Sequence, residues 1–301
     1  MTGMRITQKA ISQTALQGLN RNLTQLGKLQ EQLTSGKVVS RPSDSPTAVN
    51  RSMQIRKDQA ATAQHARNIS DAQSWMETTD TALTSMVAQV RRVRDLTVQA
   101  ANDGSMTDAG RAAISAEVSA LRDSLLGLAN ENVDGRPVFG GATSGSRAYQ
   151  ADGTWVGVGS ADGTGVVPIK RRISNDEQVR IDTTGPEAFG PPGSDLFTVV
   201  GKISADVGAG VSVQGDLADL DAAVDRLLTA ASTVGARAAR IDNAAQVNTD
   251  RSLALQKQLA NVEDVDLPKT IMQLQFQQTG YQAALQATAQ VIQPSLVDFL
   301  R

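Results

Sequence analysis

The chain has 301 residues with 29 basic against 31 acidic side chains, a net charge of −2, so it offers no positive field to draw in nucleic acid or anionic lipid. It contains no Cys, which excludes disulfides, thiolate nucleophiles and thiolate metal sites, and no stretch approaches the ~20 apolar residues of a membrane span. With only two Trp, two Tyr and five Phe, its 40% hydrophobic content is mostly aliphatic, which suits narrow helix seams better than one wide core.

The first helix is expected around Leu16, Leu19, Leu23, Leu26, Gln30 and Leu33, which step by three and four and so share one seam. The segment from Thr34 to Pro46 breaks it. Gly36 suits a left-handed stop, and Ser45 before Pro46 reads as an N-cap with Pro in the first turn. A long helix to about Ala101 follows, with Met76, Thr79, Leu83, Met86, Val90, Val93, Thr97 and Ala100 in heptad register. Asn102-Asp103-Gly104 ends it by turn chemistry. The next helix, roughly Asp108 to Asn132, carries Ile114, Val118, Leu121, Leu125 and Leu128 and is expected to stop at Asp134-Gly135.

From Gly135 to about Gly193 the pattern changes to glycine and short β-prone runs. Strands are expected over Thr154 to Val158, between two Asp-Gly turns, and over Val166 to Ile173 and Gln178 to Asp182. Gly185 to Gly193, with three prolines, leads out of this insert. Phe197, Val200 and Ile203 suggest a short helix, and Gly208 to Gly215 a linker. A heptad then returns over Leu217, Leu220, Val224, Leu227, Ala231, Val234, Ala238, Ile241 and Ala245, continuing to about Val262.

Asp264, Asp266 and Pro268 mark a new helix start. From there Leu267, Ile271, Leu274, Gln278, Tyr281, Leu285, Thr288, Ile292, Ser295 and Phe299 form an unbroken heptad register. Pro294 interrupts the hydrogen bonding of this helix near its end. Such a seam is marginal without a partner, and the seam at the other end of the chain is its natural mate.

The expected fold is mainly α with a β-rich insert: a coiled-coil-like helical rod, its two termini paired at one end and a small β domain at the tip. The expected parts are 1–40, 41–134, 135–193, 194–263 and 264–301.

Chemistry-bearing patterns are few. His65 is the sole histidine and lies in a polar part of a helix, so it reads as solvated rather than as a metal ligand or base. No nucleophile elbow, zinc-protease helix, calcium loop or phosphate loop is found, and the glycines at 157, 159 and 163 suit hairpin turns better than a dinucleotide fingerprint. A helix boundary accounts for Asp264 and Asp266. Arg91, Arg92 and Arg94 read as a solvated helix face, with subunit contacts as a second reading. Eleven glutamines between Gln246 and Gln293 suit a helix enclosed by other subunits, where an unpaired charge would be costly. No enzyme, metal or cofactor is indicated.

Several runs resemble the bacterial flagellin superfamily: Met4 to Thr7, Leu29 to Lys37 running into Arg41 to Pro46, and Gln282 to Ala287 through Ser295 to Leu300. Asn130 to Gly141 and the ending Asp298-Phe299-Leu300 resemble its hook-associated branch more than its filament-forming branch. The resemblance implies a structural subunit of the flagellum at the junction of hook and filament, outside the cell, exported through the flagellar type III apparatus without a cleaved signal peptide. It implies an inner coiled-coil layer made by the terminal helices, a second layer made by the middle helices and a β domain facing outward. Partners implied are further copies, another hook-associated protein, flagellin, and an export chaperone that shields the C-terminal helix beforehand. The assembly seam would comprise Leu16, Leu19, Leu23, Leu26, Leu33, Leu267, Ile271, Leu274, Tyr281, Leu285, Ile292 and Phe299. The chaperone would take Leu274, Tyr281, Leu285, Ile292 and Leu296. Members of the superfamily start close to the Met-Arg-Ile run, so Met4 is an alternative start. The rivals are a filament flagellin, a helical signalling rod and a ligand-binding role for residues 135–193.

Overall fold

The computed structural model describes residues 8–102, 106–158 and 167–292. In chain order these form α1 (Gln8–Ser35), α2 (Pro46–Asn102), α3 (Asp108–Ala129), β1 (Asn132–Val133), β2 (Arg136–Pro137), β3 (Lys170–Arg172), β4 (Gln178–Arg180), α4 (Gly185–Phe189), α5 (Leu196–Ala209), α6 (Asp216–Glu263) and α7 (Leu267–Ile292). The fold is mainly α with two small antiparallel sheets, β1-β2 and β3-β4. Contacts divide the chain into one unit of residues 1–60 with 252–301, and a second of residues 61–251.

Local chemistry sets the helix ends. Gly36 has φ 70° and its N–H donates to the Gln32 carbonyl at 2.9 Å, a left-handed stop that only Gly adopts without strain. Ser45 Oγ accepts from the Ala48 N–H at 3.3 Å, so Pro46 opens α2 where its missing N–H costs nothing. Asp195 caps α5 by accepting from the Phe197 and Thr198 N–H groups, both at 3.0 Å.

In three places the structure departs from expectation. First, α3 stops at Ala129, three residues short of Asn132, because Asn130 turns away to bind the insert. Its Nδ2 donates to the Leu126 and Tyr149 carbonyls at 3.0 Å each, and its Oδ1 accepts from the Ala148 and Tyr149 N–H groups at 2.8 and 2.9 Å. Asp134-Gly135 then serves as a two-residue hairpin loop between β1 and β2. Both residues have positive φ, 51° and 77°, as a turn of type I′ requires. Second, Thr154 to Val158 makes only isolated bridges, Tyr149 with Trp155 and Gly141 with Val158. Third, the exit from the insert contains a helix, α4, favoured by Pro186 in its first turn and by Glu187, whose carboxylate accepts from the Thr184 N–H at 2.9 Å.

Residues 61–251 hold a continuous apolar core. Met76, Leu83, Met86, Val90 and Val93 of α2 meet Val118 and Leu125 of α3, Val200 and Ile203 of α5, and Leu220, Leu227, Val234 and Ile241 of α6. Arg94 to Asp221 at 2.7 Å and Gln73 to Asp242 at 2.8 Å fix α2 and α6 antiparallel, and Arg92 joins Glu117 of α3 at 2.6 Å. The arginines read as a solvated face are therefore partly engaged within the chain. The insert is anchored by four aromatic rings, Phe139, Tyr149, Phe189 and Phe197, with centroids 4.7 to 5.7 Å apart in tilted or edge contacts. Burial, with the Asp195 charge second, raises the Tyr149 hydroxyl well above its ordinary range.

Beside the rings lies an ionic knot. Asp182, with no exposed surface, accepts from the Ile169 N–H at 2.7 Å and from Arg180 at 2.9 and 3.1 Å. Arg180 also reaches Glu187, while Arg237 donates to the Asp182 carbonyl at 2.8 Å. Burial and the neighbouring Arg180 charge lower the Arg237 affinity for its proton. His65 is not the solvated residue expected: it is partly buried, and its Nε2 lies 3.1 Å from Asn175 Oδ1 at the β3-β4 turn.

Candidate assembly surface

Within the unit formed by residues 1–60 and 252–301, α1 and α7 lie antiparallel. Asn22 receives a hydrogen bond from Gln277 Nε2 at 3.1 Å, and the Val265 N–H donates to the Gly36 carbonyl at 3.0 Å. The covered face of α7 is Thr270, Leu274, Gln277, Tyr281, Ala284 and Thr288, and that of α1 includes Leu19, Asn22, Leu26, Leu29 and Leu33.

The expected seams are divided by this arrangement. Leu19, Leu26, Leu33, Leu274 and Tyr281 are partly buried on the covered faces. Leu16 and Leu23 are each 52% exposed, and Leu267, Ile271 and Leu285 are also open. The side chain of Ile292 and the whole of Leu296 and Phe299 lie outside the described residues, as does Pro294. At about 100° per residue, Leu16 and Leu23 stand roughly 100° from the covered face of α1, and Leu267, Ile271 and Leu285 roughly 60–100° from that of α7, turned in the same sense. In an antiparallel pair this places them on one side, as a single apolar stripe. Small and polar residues such as Gly18, Asn22 and Gln277 permit the rotation, because they let the pair close without using Leu16, Leu23, Leu267, Ile271 and Leu285.

Met272 and Phe276, 55% and 79% exposed, stand on the back of α7. They were missed because they step by four outside the heptad register. The helix is thus apolar on three sides, and Lys269 is the only residue in its 26 that is charged at neutral pH. A helix with apolar residues on several sides and almost no charge is suited to being enclosed.

The junction at the base of the pair has its own chemistry, also unforeseen because its three members are far apart in sequence. Glu263, its side chain only 10% exposed, accepts from Arg56 at 2.8 and 2.9 Å and from Lys37 Nζ at 3.1 Å. The Val38 N–H donates to its carbonyl at 2.7 Å. Asp266 caps α7, accepting from the Lys269 N–H at 3.2 Å. Burial pushes the Glu263 carboxyl up, but Arg56 and then Lys37 outweigh it and hold the group below its ordinary range. A carboxylate with a depressed folded value contributes stability above its unfolded value, and that contribution is lost as the pH falls through the folded one. The junction is therefore expected to loosen on acidification below the ordinary glutamate range, read as faster proteolysis near Lys37 and Arg56. Glu263→Gln should abolish that pH dependence; an unchanged acid profile in the variant would refute the assignment.

Among the described residues there is no group of acidic or His side chains able to hold a metal, and no helix long and apolar enough to cross a membrane. The bacterial flagellin N-terminal helical region matches residues 6–144, and the bacterial flagellin C-terminal helical region matches residues 217–300. The flagellar hook-associated protein 3 of Escherichia coli K12 is 25% identical, covering 94% of this chain and 96% of its own. The protein of the same name from Salmonella typhimurium is 24% identical over 93% of this chain and 95% of its own, and a flagellin of Bacillus subtilis is 25% identical over 88% and 89%. Among solved structures, a flagellar hook-associated protein from Vibrio parahaemolyticus superposes with TM-score 0.64 at 20% identity, covering 73% of this chain and 100% of that one. The hook-associated protein 3 of Legionella pneumophila superposes with TM-score 0.58 at 15% identity, over 70% and 99%. Two matched helical regions that take in α1, α2 and α3 at one end and α6 and α7 at the other, with full-length relatives of the same kind, lead to one conclusion: the chain belongs to the bacterial flagellin family.

Proposed function

We propose that the chain is a structural subunit of the bacterial flagellum, placed between hook and filament, which assembles by enclosing α1 and α7 of each copy among neighbours. The observation that carries this is the inverted apolar distribution of residues 1–60 and 252–301. Among its described residues, only Leu29, Ile55 and Leu255 are buried apolar side chains, while Leu16, Leu23, Met53, Leu253, Ile271 and Phe276 are among those left open. The second unit, by contrast, keeps most of its large apolar residues inside. Exposed apolar area on this scale marks a surface awaiting a partner. Junction rather than filament is favoured by relatives named hook-associated protein 3 that match nearly end to end.

Residues 1–40 and 264–301 then make the inner layer, 41–134 and 194–263 the next, and 135–193 the outward face. Leu16, Leu19, Leu23, Leu26, Leu33, Leu267, Ile271, Leu274, Tyr281, Leu285, Ile292 and Phe299 are the proposed seam. Before export, a chaperone covering Leu274, Tyr281, Leu285, Ile292 and Leu296 would keep this nearly uncharged helix from aggregating. The role is structural rather than enzymatic, it needs neither nucleic acid nor a cleaved signal peptide, and it is exercised outside the cell.

Immunogold labelling of flagellated cells tests the placement. A short band between hook and filament is expected. Label along the whole filament would transfer the protein to the filament-forming branch, and its absence from flagella would end the proposal.

A further inference from the structure

Within residues 61–251, two grooves flank the core-facing stripe of α6. The first, of 360 Å³, is lined by His65 of α2, Ile173 and Asn175 of the β3-β4 turn, and Arg240, Val247 and Arg251 of α6, among others. Arg240 is paired with Glu177 at 2.7 Å, Arg251 has no ionic partner among the described residues, and Val247 is 67% exposed. His65 Nδ1 is buried there without a hydrogen-bond partner among the described residues. The groove therefore combines an open cation, an unused imidazole nitrogen and an uncovered apolar side chain.

The second groove, of 510 Å³, is lined by Ser70, Gln73, Glu77 and Asp80 of α2 and by Gly235 and Asp242 of α6, and no cation is among its lining residues. Glu77, Asp80 and Asp242 form no salt bridge among the described residues. At about 100° per residue, the two grooves lie on opposite flanks of the stripe made by Leu227, Val234 and Ile241. The same holds on α2, where Asn68 and Asp71 bind the β3-β4 hairpin on one flank and Gln73, Glu77 and Asp80 occupy the other. Along α6 the groove centres are about eight residues apart, or roughly 12 Å at 1.5 Å per residue.

Resting on the assembly reading above, we infer that the groove beside the β3-β4 turn receives the Glu77, Asp80 and Asp242 flank of a second copy. The occupant is argued from charge. Among the described residues the groove keeps one unpaired cation, Arg251, beside the Arg240–Glu177 pair, and Glu77, Asp80 and Asp242 of the flank have no ionic partner, so the two surfaces are complementary, and like-charged alternatives are repulsive. Two different surfaces on opposite flanks give a heterologous contact, which cannot close into a dimer. Their axial offset adds a stagger to each step, so the contact propagates along a wall of subunits.

The test is a charge exchange in the full-length protein, read by sedimentation at low salt. Arg251→Glu makes both flanks acidic, and Glu77→Lys with Asp80→Lys makes both basic. Each variant alone should lose at least tenfold in self-association, and an equimolar mixture should recover it, because opposite flanks again meet. Unchanged melting of the lone variants shows that folding is intact. The native chain has no Cys, so Val247→Cys on one copy and Asp80→Cys on another should cross-link through a bis-maleimide as a direct second measure. Variants that associate like the unmodified chain, or Cys copies that do not cross-link in its oligomers, overturn the contact while leaving the assembly reading in place. An unmodified chain that never associates overturns both. Association competed away by an acidic peptide, with no recovery in the mixture, assigns the groove to another protein and also overturns the inference.

Discussion

Leu23→Asp combined with Leu285→Asp should abolish incorporation into flagella while leaving the isolated protein folded. Both side chains are open in the monomer, on the side of the α1-α7 pair that faces away from its own contact. Exposed substitutions of this kind change folding stability by about 0.5 kcal/mol or less. In an assembly where the stripe is enclosed, two carboxylates would each need a partner that no apolar neighbour supplies, and desolvation then costs several kcal/mol per ion. Leu26→Asp with Tyr281→Asp is the informative contrast. Those side chains sit on the covered faces, so this variant should separate α1 from α7 in the monomer and expose both to protease. The measurement is the amount of each variant recovered in purified flagella, with limited proteolysis of the monomer beside it. Normal incorporation of the Leu23 and Leu285 variant would remove the stripe from the mechanism.

The other large effect lies in the second unit. Asp182→Ala should destabilise residues 61–251 by about 3 kcal/mol, the lower end for breaking a buried ion pair. The carboxylate is fully buried and answers both the Ile169 N–H and the Arg180 guanidinium. Its loss strands a donor and leaves Arg180, three-quarters buried, with Glu187 alone. Glu187 softens the effect, since it holds the other side of Arg180 and is itself kept ionised by that contact against the opposing pull of burial. Urea unfolding followed by far-ultraviolet circular dichroism would read the change, and a loss below about 1 kcal/mol would mean that Arg180 relaxes into solvent.

The sequence made the long helices legible because their apolar residues recur at steps of three and four for many turns, and because Gly36, Ser45 with Pro46, and Asp266 are strong end signals. It also offered candidate residues for the terminal seams, but not how they divide between the covered faces and the open stripe. A heptad pattern reports that a helix has a preferred face. It does not say whether the first partner meets that face squarely, and here Asn22 and Gln277 fix a register rotated away from Leu16, Leu23 and Ile271. The α3 end was misplaced because Asn130 is tied to Tyr149 and Ala148, a tertiary bond invisible in local spacing. The helix at Gly185–Phe189 was hidden by its prolines and glycines, though Thr184, Pro186 and Glu187 together carry a start signal. Glu263 with Lys37 and Arg56 could not be foreseen, since nothing in three separated residues announces that they meet.

The near absence of charge on α7 reaches beyond packing. Contacts made through Gln, Ala, Leu and Phe have almost nothing for dissolved ions to screen and little to titrate near neutrality. The layer built from this helix should therefore hold equally in dilute and in saline surroundings. Contacts that depend on Arg251, Glu77 and Asp80 should weaken as salt rises. Copies joined by both kinds of contact would keep the α7 contacts closed in any salinity, while those through Arg251, Glu77 and Asp80 grow more compliant as salinity increases.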